Sequence, residues 1–131
     1  MKQQVDVQWW VARAINDTST KVFGVTAGLG SGKTHGEIQW LHTRVKRLKA
    51  PLFVMVMPTF QTVHSAAIPT YRTVLNSLGC IEGRHYWVVK SPIPKLVYAS
   101  KQEVHFLSAN HPDQFVAAEY AAGVIDEAGS I

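Results

Sequence analysis

The stretch Ala27-Gly-Leu-Gly-Ser-Gly-Lys-Thr34 constrains this chain more than any other feature, because of what flanks it. The apolar segment Lys21-Val-Phe-Gly-Val-Thr26 precedes it and reads as a buried strand. Lys33 to Lys49 follows, with Ile38, Leu41, Val45 and Leu48 at the spacing of one helix face. A glycine-rich turn between a strand and a helix gathers backbone N–H groups at the positive end of the helix dipole, where anionic oxygens are stabilised. The spacing predicts that Gly28, Leu29, Gly30, Ser31 and Gly32 line the phosphates of ATP. Lys33 would neutralise the β- and γ-phosphates, and the Thr34 hydroxyl would ligate the magnesium that bridges them. The usual pattern is G-x-x-x-x-G-K-[ST]. Ala27 stands in place of its first glycine, while the Gly-Lys-Thr end is intact. A dinucleotide fingerprint is the nearest rival. It calls for no lysine at Lys33, and Glu37 follows too closely to be its ribose-binding acid.

The second element is Gly123-Val-Ile-Asp126-Glu127-Ala128, an apolar strand ending in two acids. Beside a phosphate loop, this order assigns Asp126 to the magnesium and Glu127 to the attacking water as catalytic base, with Lys33 stabilising charge on the transferred phosphoryl group. Gln8, on a short amphipathic helix read from Val5 to Ile15, could read the adenine edge by two hydrogen bonds; Gln3 and Gln4 compete for that role, and an ordinary surface glutamine is an equal alternative.

Between these motifs, Leu52-Phe-Val-Met-Val-Met57 reads as a strand buried on both faces. Phe60 to Leu78 reads as mostly helix, interrupted at Pro69 and capped by Gly79. The period then changes to two. Tyr86–Val89, Leu96–Ala99 and Val104–Leu107 read as strands of a small antiparallel insert, with turns at Ser91-Pro92 and Ser100-Lys101-Gln102. A short helix to about Glu119 and a last strand from Ala121 to Ile125 complete the pattern. The class this implies is α/β: a largely parallel sheet with helices on both faces and ligands at the carboxyl ends of the strands.

The chain has 131 residues, enough for one core, and shows no repeats, low-complexity tracts or linkers. Its longest apolar run is too short to span a bilayer, and its polar N-terminus lacks a signal core, so no membrane partner is expected. The formal charge of +4 favours polyanionic partners without specifying one. Arg44, Lys46, Arg47 and Lys49 fall at a helix end, where cations complement the dipole and stay solvated; direct contact with DNA is the alternative reading. The single cysteine, Cys80, reads as a packing residue. The six histidines lack metal-ligand spacing, and Trp9, Trp10, Trp40 and Trp87 read as core.

Taken together, the motifs resemble the N-terminal ATPase region of phage large terminases, the motors that package DNA into capsids. Ala27–Thr34 is similar to that family's phosphate loop and Val56-Met-Pro58-Thr59-Phe60 to its helicase-like Pro-Thr segment. Phe106-Leu-Ser108-Ala109-Asn110 followed by Val124-Ile-Asp126-Glu127-Ala128 is similar to its approach to the catalytic acids. The resemblance spans nearly the whole chain and implies an additional-strand, RecA-like P-loop NTPase fold. It also implies double-stranded DNA as the transported substrate and a homo-oligomeric ring at the portal protein, with a small terminase subunit delivering DNA in the cytoplasm of the infected host. Many members carry an arginine where this chain has Leu29. The family continues beyond the acids with a coupling motif, further strands and a nuclease domain, so residues 1–131 correspond to the first part of its ATPase domain. A superfamily-two helicase fragment shares the loop and the Pro-Thr segment, though Ala128-Gly129-Ser130 differs from the signature expected after its acids. A non-hydrolysing nucleotide-binding module is the alternative from another class.

Overall fold

A computed structural model describes residues 22–26, 33–109 and 120–126; for 22–26 and 33 only the backbone is described. Six strands form one sheet: β1 (Val22–Thr26), β2 (Leu52–Met57), β3 (Tyr86–Val89), β4 (Lys95–Tyr98), β5 (Glu103–Ser108) and β6 (Ala122–Asp126), in the spatial order β1-β6-β2-β5-β4-β3. The β1–β6, β6–β2 and β2–β5 pairs are parallel, whereas β5–β4 and β4–β3 are antiparallel.

Three helical segments are described: α1 (Lys33–Leu48), α2 (Phe60–Thr62) and α3 (Ile68–Ser77), with a π-helical turn, Val63–Ala67, between the last two. Pro69 explains that turn. Its ring lacks an N–H and crowds the carbonyl four residues back, so the backbone widens just before it, and the Ile68 N–H reaches five residues back to the Val63 carbonyl. The chain enters α2 through Thr59, whose hydroxyl accepts the Thr62 N–H while the Thr62 hydroxyl accepts the Thr59 N–H. It leaves α3 through Gly79, at φ +89°. There the Gly79 N–H bonds the Asn76 carbonyl and the Cys80 N–H bonds the Leu75 carbonyl, the glycine cap read from sequence.

Ile38, Leu41 and Val45 of α1 and Tyr71, Val74 and Leu75 of α3 pack into one core with Phe53, Met55, Val104, Phe106 and Val124 of the sheet. Both described helices therefore cover the same sheet face. Val54, Val56, Leu107 and Ile125 alternate with those core positions, so they lie on the opposite face, and they too are buried. The expectation of helices on both faces includes two, at Val5–Ile15 and ending near Glu119, that fall outside the described residues.

Three readings change. Val104–Leu107 is not part of an antiparallel insert: β5 pairs parallel with β2 along its length, and only β3 and β4 extend the sheet antiparallel from it. Leu48, at the last position of α1, is 38% exposed rather than packed with Ile38, Leu41 and Val45. Trp87 lies on the edge strand β3 and is 42% exposed, because successive strand residues face opposite sides. Trp40 packs partly against the core, with the Arg44 guanidinium 5.0 Å above its ring. Cys80 also packs partly against the core. Trp9, Trp10, the helix at Val5–Ile15 and the one ending near Glu119 lie outside the described residues.

Candidate functional site

Because β1, β6, β2 and β5 are parallel, their carboxyl ends share one edge of the sheet. Thr26 and Asp126, the last residues of β1 and β6, are paired there. α1 begins at Lys33, so Thr34 sits in its first turn, and the Thr34 hydroxyl donates to Asp126 Oδ2 at 2.9 Å across 92 residues of sequence. Asp126 is 1% exposed, whereas Thr34 is half-buried. A carboxylate this deep is tolerated only with polar partners, and the Thr34 hydroxyl is one of them.

This pair suits the protein half of a magnesium site in a nucleotide enzyme. Magnesium retains several waters and takes one or two oxygen ligands from the protein, with phosphate oxygens supplying others. One hydroxyl and one carboxylate, held together by fold rather than by sequence proximity, match that demand. Among the described residues no cluster of three or more histidine, cysteine, aspartate or glutamate side chains forms a dedicated metal cage.

Of the residues predicted for the site, Thr34 and Asp126 are thus brought together. Gln8, Gly28, Leu29, Gly30, Ser31, Gly32 and Glu127 lie outside the described residues; Lys33 opens α1 by its backbone. The Pro58-Thr59-Phe60 segment follows the carboxyl end of β2 and so reaches the same edge, where the Ala109 N–H bonds the Met57 carbonyl. Phe60, 40% exposed, meets the His64 ring edge-on at a centroid distance of 5.1 Å.

Sequence reading missed two polar clusters. On the core side, Tyr71, Tyr98 and His42 form a chain, with hydroxyls 2.6 Å apart and Tyr98 Oη 2.9 Å from His42 Nδ1. Burial pushes both phenols up, while burial and the nearby Lys46 ammonium hold His42 below its ordinary value. On the opposite face, His105 lies 2.9 Å from Glu103 and 3.1 Å from the Tyr120 hydroxyl, and Lys95 lies 3.4 Å from Glu103. The His105 hydrogen bond and the Lys95 charge hold the Glu103 carboxyl below the usual range, and burial pushes the Tyr120 phenol up to about 12. Neither cluster has a sequence signature, since each draws on more than one segment of the chain.

The fold and the edge pair define an α/β domain with a hydroxyl–carboxylate site at the carboxyl ends of parallel strands. No family model matches the chain, and no curated protein or solved structure matches it. Among the described residues no helix is long and apolar enough to cross a membrane.

Proposed function

We propose that the chain is an ATP-binding and hydrolysing P-loop domain, the motor part of a terminase-like machine that moves double-stranded DNA into a capsid. The observation that carries the ATP reading is the 2.9 Å hydrogen bond from Thr34 to buried Asp126, at the edge where the glycine loop and Glu127 join their strands. Magnesium, when bound, would neutralise phosphate charge and orient the β- and γ-phosphates, held by Thr34 and by Asp126. By sequence order, Gly28–Gly32 and the start of α1 would supply N–H groups to the phosphates, and Lys33 would neutralise the charge that grows on the transferred group. Glu127 accepts a proton from the attacking water.

DNA as cargo, a ring of copies, the portal and the small subunit rest on the resemblance of the loop, the Pro-Thr segment and the acidic strand to large terminases. A helicase fragment would share the ATP chemistry but not the cargo. An arginine supplied by a neighbouring subunit is often worth about a thousandfold in rate, so a single copy is expected to turn over ATP slowly. The test is magnesium-dependent phosphate release by the chain, with and without double-stranded DNA. The reading predicts turnover stimulated by DNA and lowered roughly a hundredfold by Glu127→Gln while ATP stays bound. Turnover indifferent to Glu127→Gln would remove the assigned base, and turnover indifferent to DNA would remove the motor.

A further inference from the structure

Away from that edge, α1 ends over a cavity. Thr34 lies at one end of the helix and Lys46 twelve residues on, about 18 Å away at the helical rise. The cavity, about 340 Å³, is lined by His42, Val45 and Lys46 of α1 and by Lys49 just beyond it, by Cys80 and His85, and by Tyr98, Ala99, Ser100 and Gln102. That volume is within the range of small-molecule sites. No carboxylate lines it.

Its polar groups are donors fixed from behind. Tyr71 is fully buried, and among the described residues its hydroxyl bonds only Tyr98. A buried donor left without an acceptor is costly, so the Tyr71 O–H donates to Tyr98 and the Tyr98 O–H donates to His42 Nδ1. The imidazole proton then sits on Nε2, which makes no hydrogen bond among the described residues. His85 is fixed in the same way: its Nδ1 accepts the Ile81 N–H at 2.8 Å, leaving Nε2 as the N–H. Two ammonium groups, from Lys46 and Lys49, complete the set.

The Gln102 side chain is already engaged. Gln102 donates both amide hydrogens, to the carbonyls of Val45 and Ala50 at 2.9 Å, and its own oxygen accepts from Ser100. Lys49 holds φ at +58°, a conformation that favours glycine, so a lysine is kept there at a backbone cost. Val45, Cys80 and Ala99 supply an apolar wall.

From this geometry we infer that the cavity at the C-terminal end of α1 binds a small organic phosphate monoester, its phosphate held by Lys46, Lys49, His42 and His85 and its organic part resting on the apolar wall. A monoester carries about −1.5 to −2 charges with three acceptor oxygens, matching two ammonium groups and two imidazole N–H donors. The site is separate from the nucleotide edge and does not depend on the ATP reading.

The test follows the imidazole NMR signals of His42 and His85 in a Lys33→Ala protein, which removes the loop lysine as a competing phosphate ligand. Phenyl phosphate and inorganic phosphate are titrated at constant ionic strength. Saturable shifts of both histidines are expected, at lower concentration for phenyl phosphate. In Lys46→Ala/Lys49→Gly, where glycine suits the φ of position 49, the midpoint should rise at least about tenfold with the fold retained by circular dichroism. No saturable shift, an unchanged midpoint in the double variant, or equal affinity for inorganic phosphate would overturn the assignment.

Discussion

At the scale of single residues, the Thr34–Asp126 contact joins sequence, fold and chemistry. Their meeting was legible in advance because the order of the two motifs, Gly-Lys-Thr at a helix start and an acid at a strand end, brings both residues to the carboxyl ends of parallel strands. Thr34→Val keeps the shape and removes the donor. Thermal unfolding should report a loss of about 1–2 kcal/mol, and titration should show ATP affinity that responds less to magnesium. The Tyr71–Tyr98–His42 chain was not legible, since hydrogen-bonding side chains from α3, β4 and α1 carry no shared spacing. Its energetics are separable by a double-mutant cycle. Tyr98→Phe strands the buried Tyr71 hydroxyl and should cost about 1–3 kcal/mol, whereas adding Tyr71→Phe should cost less than the sum of the single changes. His42 gives a pH signature. Its folded pKa lies below 6.5, so the unfolded chain takes up a proton first as the pH falls. The contribution to stability is full above about pH 6.5, declines as the pH drops below it, and levels off once the folded imidazole also protonates. Unfolding midpoints measured from pH 7.5 down to 5 should fall more steeply for the unaltered chain than for His42→Gln.

Among the elements, strand and helix identities followed from periodicity, and the misread features came from partnership. β2 was recognised as doubly buried because every residue from Phe53 to Met57 is apolar. β5 is buried from Phe106 to Ser108 in the same manner, but its turn-bounded neighbours made it look like the third strand of a meander. A short apolar run does not disclose which strand lies beside it. Pro69 marked the helix break correctly, yet the distortion falls one turn earlier, where its ring would meet the backbone. The Thr59–Thr62 reciprocal cap sets the helix start at the carboxyl-end edge of the sheet, and Thr59→Ala should lower stability by about 1 kcal/mol in denaturant titration without changing the cooperativity of unfolding.

For the whole molecule, the four parallel strands set the carboxyl-end edge that carries Thr34, Asp126 and the Pro-Thr segment, and α1 spans from that edge to the cationic cavity at its far end. The central claim is that the carboxyl-end edge binds magnesium-ATP through Lys33, Thr34 and Asp126. It is tested most directly by titrating the unaltered chain and Lys33→Ala with a fluorescent ATP analogue in the presence of magnesium. Lys33→Ala should keep the fold by circular dichroism and bind at least about tenfold more weakly, some 1.4 kcal/mol or more. Equal affinity in a folded Lys33→Ala protein would contradict the claim.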